Sequence, residues 1–405
     1  MSRTADADPS ELLRRHRPLL RYDSLEPYFA DSAAEWTDNP GNRLQHADGS
    51  VVATATSEPG APRLSLAFLG ATRYGDGAAV SGDDRIVDPA HDYVAQARAL
   101  HDKPEYANRV YGHWATGSDT RTWLAYWFFY FYNDYNLVGD LLPAGLHEGD
   151  WEMIQLRLDE SGGQPDLAVY AQHTHAEARD WTQVEKEGEQ PVVYPARGSH
   201  ASYFTPGVFD LGLEWTGHWF DHADGKRPGP PLTLEIIEDD DPAYGWAIWP
   251  GTWGGTRPSP GIDRLLEDSS PRGPGGHRQW RDPVTLLDTV RHPPAPTTAT
   301  ATATRALPSS PSVSVSRAGA DLRITYSSAA EDSAALIVAV ASPGVPVPPT
   351  LYREPVDGAH GTVEIPAGLH DDQAYEVHVS VAVRDGRASK SVERELPPSP
   401  AAART

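Results

Sequence analysis

The chain has 405 residues, with 34 Lys and Arg against 57 Asp and Glu, a net charge of −23 and no cysteine. Without thiols there is no disulfide framework, thiolate zinc centre, iron–sulfur cluster or cysteine nucleophile. The negative charge argues against nucleic acid as a partner, because backbone binding neutralises phosphates with Lys and Arg.

In chain order, the first twenty residues carry Arg and Asp throughout and lack the apolar core of a secretory signal. The expectation is a protein that is cytoplasmic or exported without a recognisable signal peptide. Residues 10–20 and 92–100 show helical period, whereas residues 64–68, 123–132, 151–158, 167–171 and 232–237 read as strands. The run at 123–132, WLAYWFFYFY, is about half the roughly 20 residues needed to cross a bilayer, so it is expected to be a buried strand and no transmembrane segment is predicted. Residues 250–283 are rich in Gly and Pro yet hold Trp253 and Trp280, which points to an ordered loop wrapped back on the core.

All 12 Trp lie between Trp36 and Trp280. Beyond them, residues 293–304 form a Pro/Thr/Ala tract expected to be an extended linker. Short alternating segments follow at 312–315, 321–326, 335–340, 361–365 and 375–383, separated by turn residues as in a small sandwich. This stretch resembles a fibronectin type III domain, with Tyr375 where that family often places its corner tyrosine. The expected fold is mainly β: an antiparallel β-sandwich with long Gly/Pro/Trp-rich loops over residues 1–290, a linker at 291–308, a fibronectin type III-like sandwich at 309–396 and a disordered tail at 397–405.

The chemistry concentrates in residues 147–158, HEGDWEMIQLRL. Alternation from Asp150 places Asp150, Glu152, Ile154, Leu156 and Leu158 on one face of a strand. Two carboxylates thus open a face that continues as core, and buried carboxylates need a cation, an Arg or backbone donors. Side chains two residues apart on a strand stand about 6.5–7 Å from each other, a span one divalent ion can bridge. His147 precedes them across Gly149, whose freedom lets the chain turn the imidazole toward the same point. The alternative is a turn feeding a strand whose acids pair with Arg121 or Arg197.

Two further segments add imidazoles. His173 and His175 end a predicted strand, and His200 follows a Gly-Ser turn, each reading either as a metal ligand or as a base oriented by a carboxylate. Gly198-Ser199-His200 lacks the spaced glycines of a nucleophile elbow. Trp215, Trp219, Trp246, Trp249 and Trp253 lie in loop-like segments, where indoles either stack on sugars and lipid interfaces or cover the sandwich.

The segments HEGDWE at 147–152, YAQH at 170–173 and VYPARGSHASYF at 193–204, with LRYDSLEPYF at 20–29 upstream, resemble the vacuolar protein sorting-associated protein 62 family over residues 10–290. That resemblance implies no defined reaction. The His-x-x-Asp-Trp-Glu core is also similar to the signature of necrosis- and ethylene-inducing-like cytolysins, β-sandwich proteins in which it surrounds a divalent cation that receives glycosylated lipid head groups. That similarity implies His147, Asp150 and Glu152 as metal ligands, with Asp140 or else Asp134 as the upstream acid. This chain departs from it in having Glu148-Gly149 where the family carries a basic residue and a second His.

Three functions follow from these readings. One is divalent-cation-dependent recognition of a polar lipid head group or glycan. Another is a metal-dependent hydrolase of phosphoester or glycosidic bonds, with His173 or His200 as general acid or base. The last is a structural or adhesion protein whose His/Asp/Glu cluster is an internal salt-bridge network. Oxygen ligands with one imidazole suit Ca²⁺, Mg²⁺ or Mn²⁺, and a second imidazole tilts the site toward Zn²⁺.

Overall fold

A computed structural model describes residues 8–56, 62–75, 77–90, 92–134, 136–138, 142–143, 147–214, 217–255, 270–290, 309–341, 350–383, 389 and 392–399. The chain is mainly β and divides into two compact units. The first comprises residues 1–135, 144–204 and 226–291; the second comprises 136–143, 205–225 and 292–405. The expected linker at 291–308 lies outside the described residues. Of the expected tail, only residues 397–399 are described.

The first unit is organised by a sheet in the order His175–Asp180, Pro165–Gln172, His147–Leu158, Thr122–Asn133, Asn108–Thr116, Leu232–Ile236. The aromatic strand Thr122–Asn133 is buried along nearly its whole length. Burial on both faces is why its sequence is a continuous apolar run rather than an alternating one. A second sheet runs Lys186–Glu187, Gln190–Pro195, Leu19–Tyr22, Arg227–Pro228, with Ser202–Tyr203 also paired to Gln190–Pro195. The two share one core: the Tyr170 hydroxyl donates to the Val192 carbonyl at 3.1 Å, and its ring stacks on Phe204. The sheets are antiparallel except at two places, where Leu232–Ile236 runs parallel to Asn108–Thr116 and Leu19–Tyr22 parallel to Gln190–Pro195.

Several local expectations are revised. The segment at 64–68 is not a strand: Ser65 caps a short helix, Leu66–Leu69, by accepting from the Phe68 amide. The helix expected at 10–20 stops early, as Pro9–Arg15. Asp8 caps its start, and beyond its end Pro18 leads into the strand Leu19–Tyr22. Of the two alternatives for the loop tryptophans, Trp246, Trp249 and Trp253 take the covering one, as core side chains, the last fully buried. Trp215 and the Trp219 side chain lie outside the described residues, as do residues 256–269 of the expected wrapping loop.

In the second unit, Ser312–Ala318, Asp321–Ser327 and His360–Ile365 form one sheet, and Thr350–Pro355, Ser333–Ala341, Tyr375–Val383 and Val392–Leu396 form another. A single core of Leu322, Ile324, Leu336, Val338, Val377 and Val379 joins them as a sandwich. The Tyr375 hydroxyl accepts from the His370 amide at 3.0 Å and donates to Gln373 Oε1 at 2.9 Å, which closes the corner before its strand. The hairpin of Gly207–Glu214 and Gly217–Ala223 belongs to this unit, with the His222 ring edge-on to His378 at 5.1 Å.

Candidate functional site

The strand His147–Leu158 brings the whole HEGDWE motif to one end of the six-stranded sheet, where Asn133 pairs with His147, Tyr130 with Asp150 and Phe128 with Glu152. Gly149 adopts a left-handed backbone (φ 58°), and a Cβ there would stand 1.8 Å from the Trp253 carbonyl oxygen. The motif glycine therefore admits the Trp253–Gly255 segment against the strand, backbone on backbone. Glu148 fastens that segment. Its buried carboxylate accepts from the Gly255 amide at 2.9 Å, the Asp88 amide at 3.0 Å and the Tyr93 hydroxyl. Trp151 packs among Phe129, Trp253, Trp246 and Tyr111.

His147 is buried with both ring nitrogens engaged. Its Nδ1 donates to the Gly149 carbonyl at 2.7 Å, and its Nε2 accepts from Asn133 Nδ2 at 3.0 Å. Asp150 is 5% exposed, and its Oδ2 accepts from His200 Nδ1 at 2.9 Å. The other edge of the His200 ring faces Glu26, with Nε2 3.5 Å from Oε1, a charge contact rather than a hydrogen bond. Glu26 is itself fully buried and accepts from the Tyr28 amide at 2.9 Å and the Gly198 amide at 2.6 Å. The Tyr130 ring lies flat on His200 at 3.8 Å and 4°. His200 sits in the left-handed region (φ 57°), an uncommon conformation for a residue with a side chain. Burial works to lower the His200 pKa, but Glu26 and Asp150 outweigh it and raise it to about 9.

Glu152 is partly exposed. His173 occupies an exposed, left-handed position (φ 55°) in the two-residue turn between paired Gln172 and His175. Asp140 lies outside the described residues; Asp134 is placed beside the His200 turn by its amide, which donates to the Gly198 carbonyl at 2.9 Å.

The structure thus brings Asp150 and His200 together but does not gather His147, Asp150 and Glu152 into a ligand group; among the described residues no cluster of three such side chains is poised for a metal. His147 has both ring nitrogens in hydrogen bonds, and the Asp150 carboxylate is turned to His200. Arg121 does not pair with the motif: it binds Asp166 at 2.7 Å. Glu26, Glu148 and Tyr130 carry the site's architecture without having been assigned a role from sequence. Glu148 stood inside the motif and Glu26 inside the 20–29 segment, so position was legible where partnership was not. Two other buried carboxylates hold histidines similarly, Asp31 with His101 at 3.1 Å and Asp84 with His46 at 2.8 Å.

Fold and site together define a mainly β protein whose motif strand is braced by buried ion networks. Within it, residues 107–225 match the family described as Vacuolar protein sorting-associated protein 62. Among solved structures, Necrosis and Ethylene inducing Protein 2 from the causal agent of cocoa's Witches Broom disease is 15% identical, over 66% of this chain and 91% of that one, with a TM-score of 0.27. A Fn3-like protein from Clostridium thermocellum is 18% identical, over 23% of this chain and 92% of that one, with a TM-score of 0.18. No curated protein matches the chain. No helix among the described residues is long and apolar enough to cross a membrane.

Proposed function

We propose that this chain is a non-catalytic recognition protein whose first unit offers the polar end of its six-stranded sheet to a sugar-hydroxyl-rich ligand, a glycan or a glycosylated lipid head group. The observation that carries the reading is His200. A general acid or base must reach the proton it moves, and this imidazole is 0% exposed between Asp150 and Glu26. His147 is engaged by backbone and Asn133 in the same way. The polar side chains at this end that keep some exposure are Glu152, Gln172 and His175, partly exposed, and His173, exposed, residue types suited to hydroxyl groups. The second unit acts as a spacer of fibronectin type III type, a reading supported by its three- and four-stranded sheets and its corner tyrosine.

The test is binding of the full chain to a glycan array and to phosphatidylcholine vesicles with and without a neutral glycosphingolipid. Binding that falls in Glu152→Gln and His173→Ala, at unchanged melting temperature, supports the reading. Retained binding in both variants, or turnover of phosphoester or glycoside substrates that disappears in His200→Asn, overturns it.

A further inference from the structure

The start of the motif strand poses an electrostatic problem that the molecule has solved internally. Asp150 and Glu26 are both withdrawn from water, at 5% and 0% exposure, and an uncompensated buried carboxylate costs several kcal/mol. Between them lies one ring, with Asp150 Oδ2 2.9 Å from Nδ1 and Glu26 Oε1 3.5 Å from Nε2. A neutral imidazole that donates through Nδ1 would turn its Nε2 lone pair toward the Glu26 carboxylate, a repulsive arrangement; a doubly protonated ring presents positive charge to both acids. The Tyr130 ring stacked on its face adds the attraction of a π surface for a cation. The backbone holds the residue there at a left-handed φ of 57°, and the turn is tied by the His200 amide donating to the Ala196 carbonyl at 2.9 Å.

We infer that the imidazolium of His200 is the cation of this site, so that the acidic start of the motif strand takes no divalent ion. The position a metal would neutralise is filled by a side chain, bound to the chain and therefore always present. This deepens the recognition reading, from which it takes only the location of the site, and it makes ligand binding there insensitive to chelators.

The test uses the full chain and no ligand, so a failure to bind glycans leaves it untouched. After chelator treatment, thermal unfolding is followed with Ca²⁺, Mg²⁺, Mn²⁺ or Zn²⁺ added singly, and the protonation of the histidine ring nitrogens is read by heteronuclear NMR at neutral pH. The expected results are a melting temperature unchanged by every cation and His200 protonated on both nitrogens. A rise of several degrees with one cation that is lost in Asp150→Asn overturns the inference, as does a singly protonated His200. A rise that survives Asp150→Asn places the ion elsewhere and leaves the inference standing. Should Asp150→Asn not fold, Mn²⁺ broadening of the wild-type His200 resonances serves the same purpose: selective broadening overturns the inference and its absence upholds it.

Discussion

The Trp253 carbonyl oxygen occupies the space in which Gly149 would carry a Cβ, 1.8 Å from that point, so the motif glycine and the Trp-Gly-Gly segment are two halves of one contact. Gly149→Ala must displace a backbone as well as adopt φ 58°. The left-handed conformation alone costs about 1–2 kcal/mol, and the clash should carry the loss beyond that. Gly188→Ala is the control, with φ 64° and nothing within 4 Å; chemical denaturation should show it losing only the conformational part.

Removing the Glu148 carboxylate leaves the Gly255 and Asp88 amides and the Tyr93 hydroxyl without their acceptor. An unsatisfied buried donor costs about 1–3 kcal/mol, so Glu148→Ala should lose at least about 3 kcal/mol. Hydrogen exchange at the Gly255 and Asp88 amides should quicken ahead of exchange in the aromatic strand; equal protection of these amides in Glu148→Ala and the unsubstituted protein would refute the clamp.

His200 gives the first unit a pH signature. Its pKa rises on folding from 6.5 to about 9, so the native state holds the proton more tightly than the unfolded chain. The stability this contributes is fully present below 6.5 and is lost as pH climbs through about 9. Urea midpoints measured across that window should fall, and the fall should shrink in Asp150→Asn. Asp150→Asn itself breaks a buried pair, at about 3–5 kcal/mol.

In the second unit, Tyr375→Phe removes a hydroxyl that accepts from the His370 amide and donates to Gln373. The expected loss is about 0.5–1.5 kcal/mol, visible as a lower midpoint for this unit's unfolding, with first-unit transitions unmoved.

Much of the architecture was legible because burial writes itself into composition. The aromatic strand Thr122–Asn133, covered on both faces, could only be a continuous apolar run. The parallel pairings of Leu232–Ile236 and Leu19–Tyr22 were not legible, since they depend on strands far apart in the chain. At the site, alternation correctly placed two acids at the start of a strand, but it carried no information on what would meet them. His200 meets Asp150 from 50 residues further along the chain and Glu26 meets the other edge of the His200 ring, separations that alternation along one strand does not record, and Gly198 marked a turn without marking His200 itself as left-handed. The helix at Leu66–Leu69 escaped because one serine cap, rather than any periodicity, decides so short an element.

The hairpin Gly207–Ala223 is donated to the second unit by a chain that then returns to finish the first. A cassette built from residue 292 onward would lack that piece, and one ending at 291 would carry it without its sandwich. A single cut at the tract around residue 300 would therefore part the hairpin from the unit it belongs to, and excising either unit whole takes more than one cut.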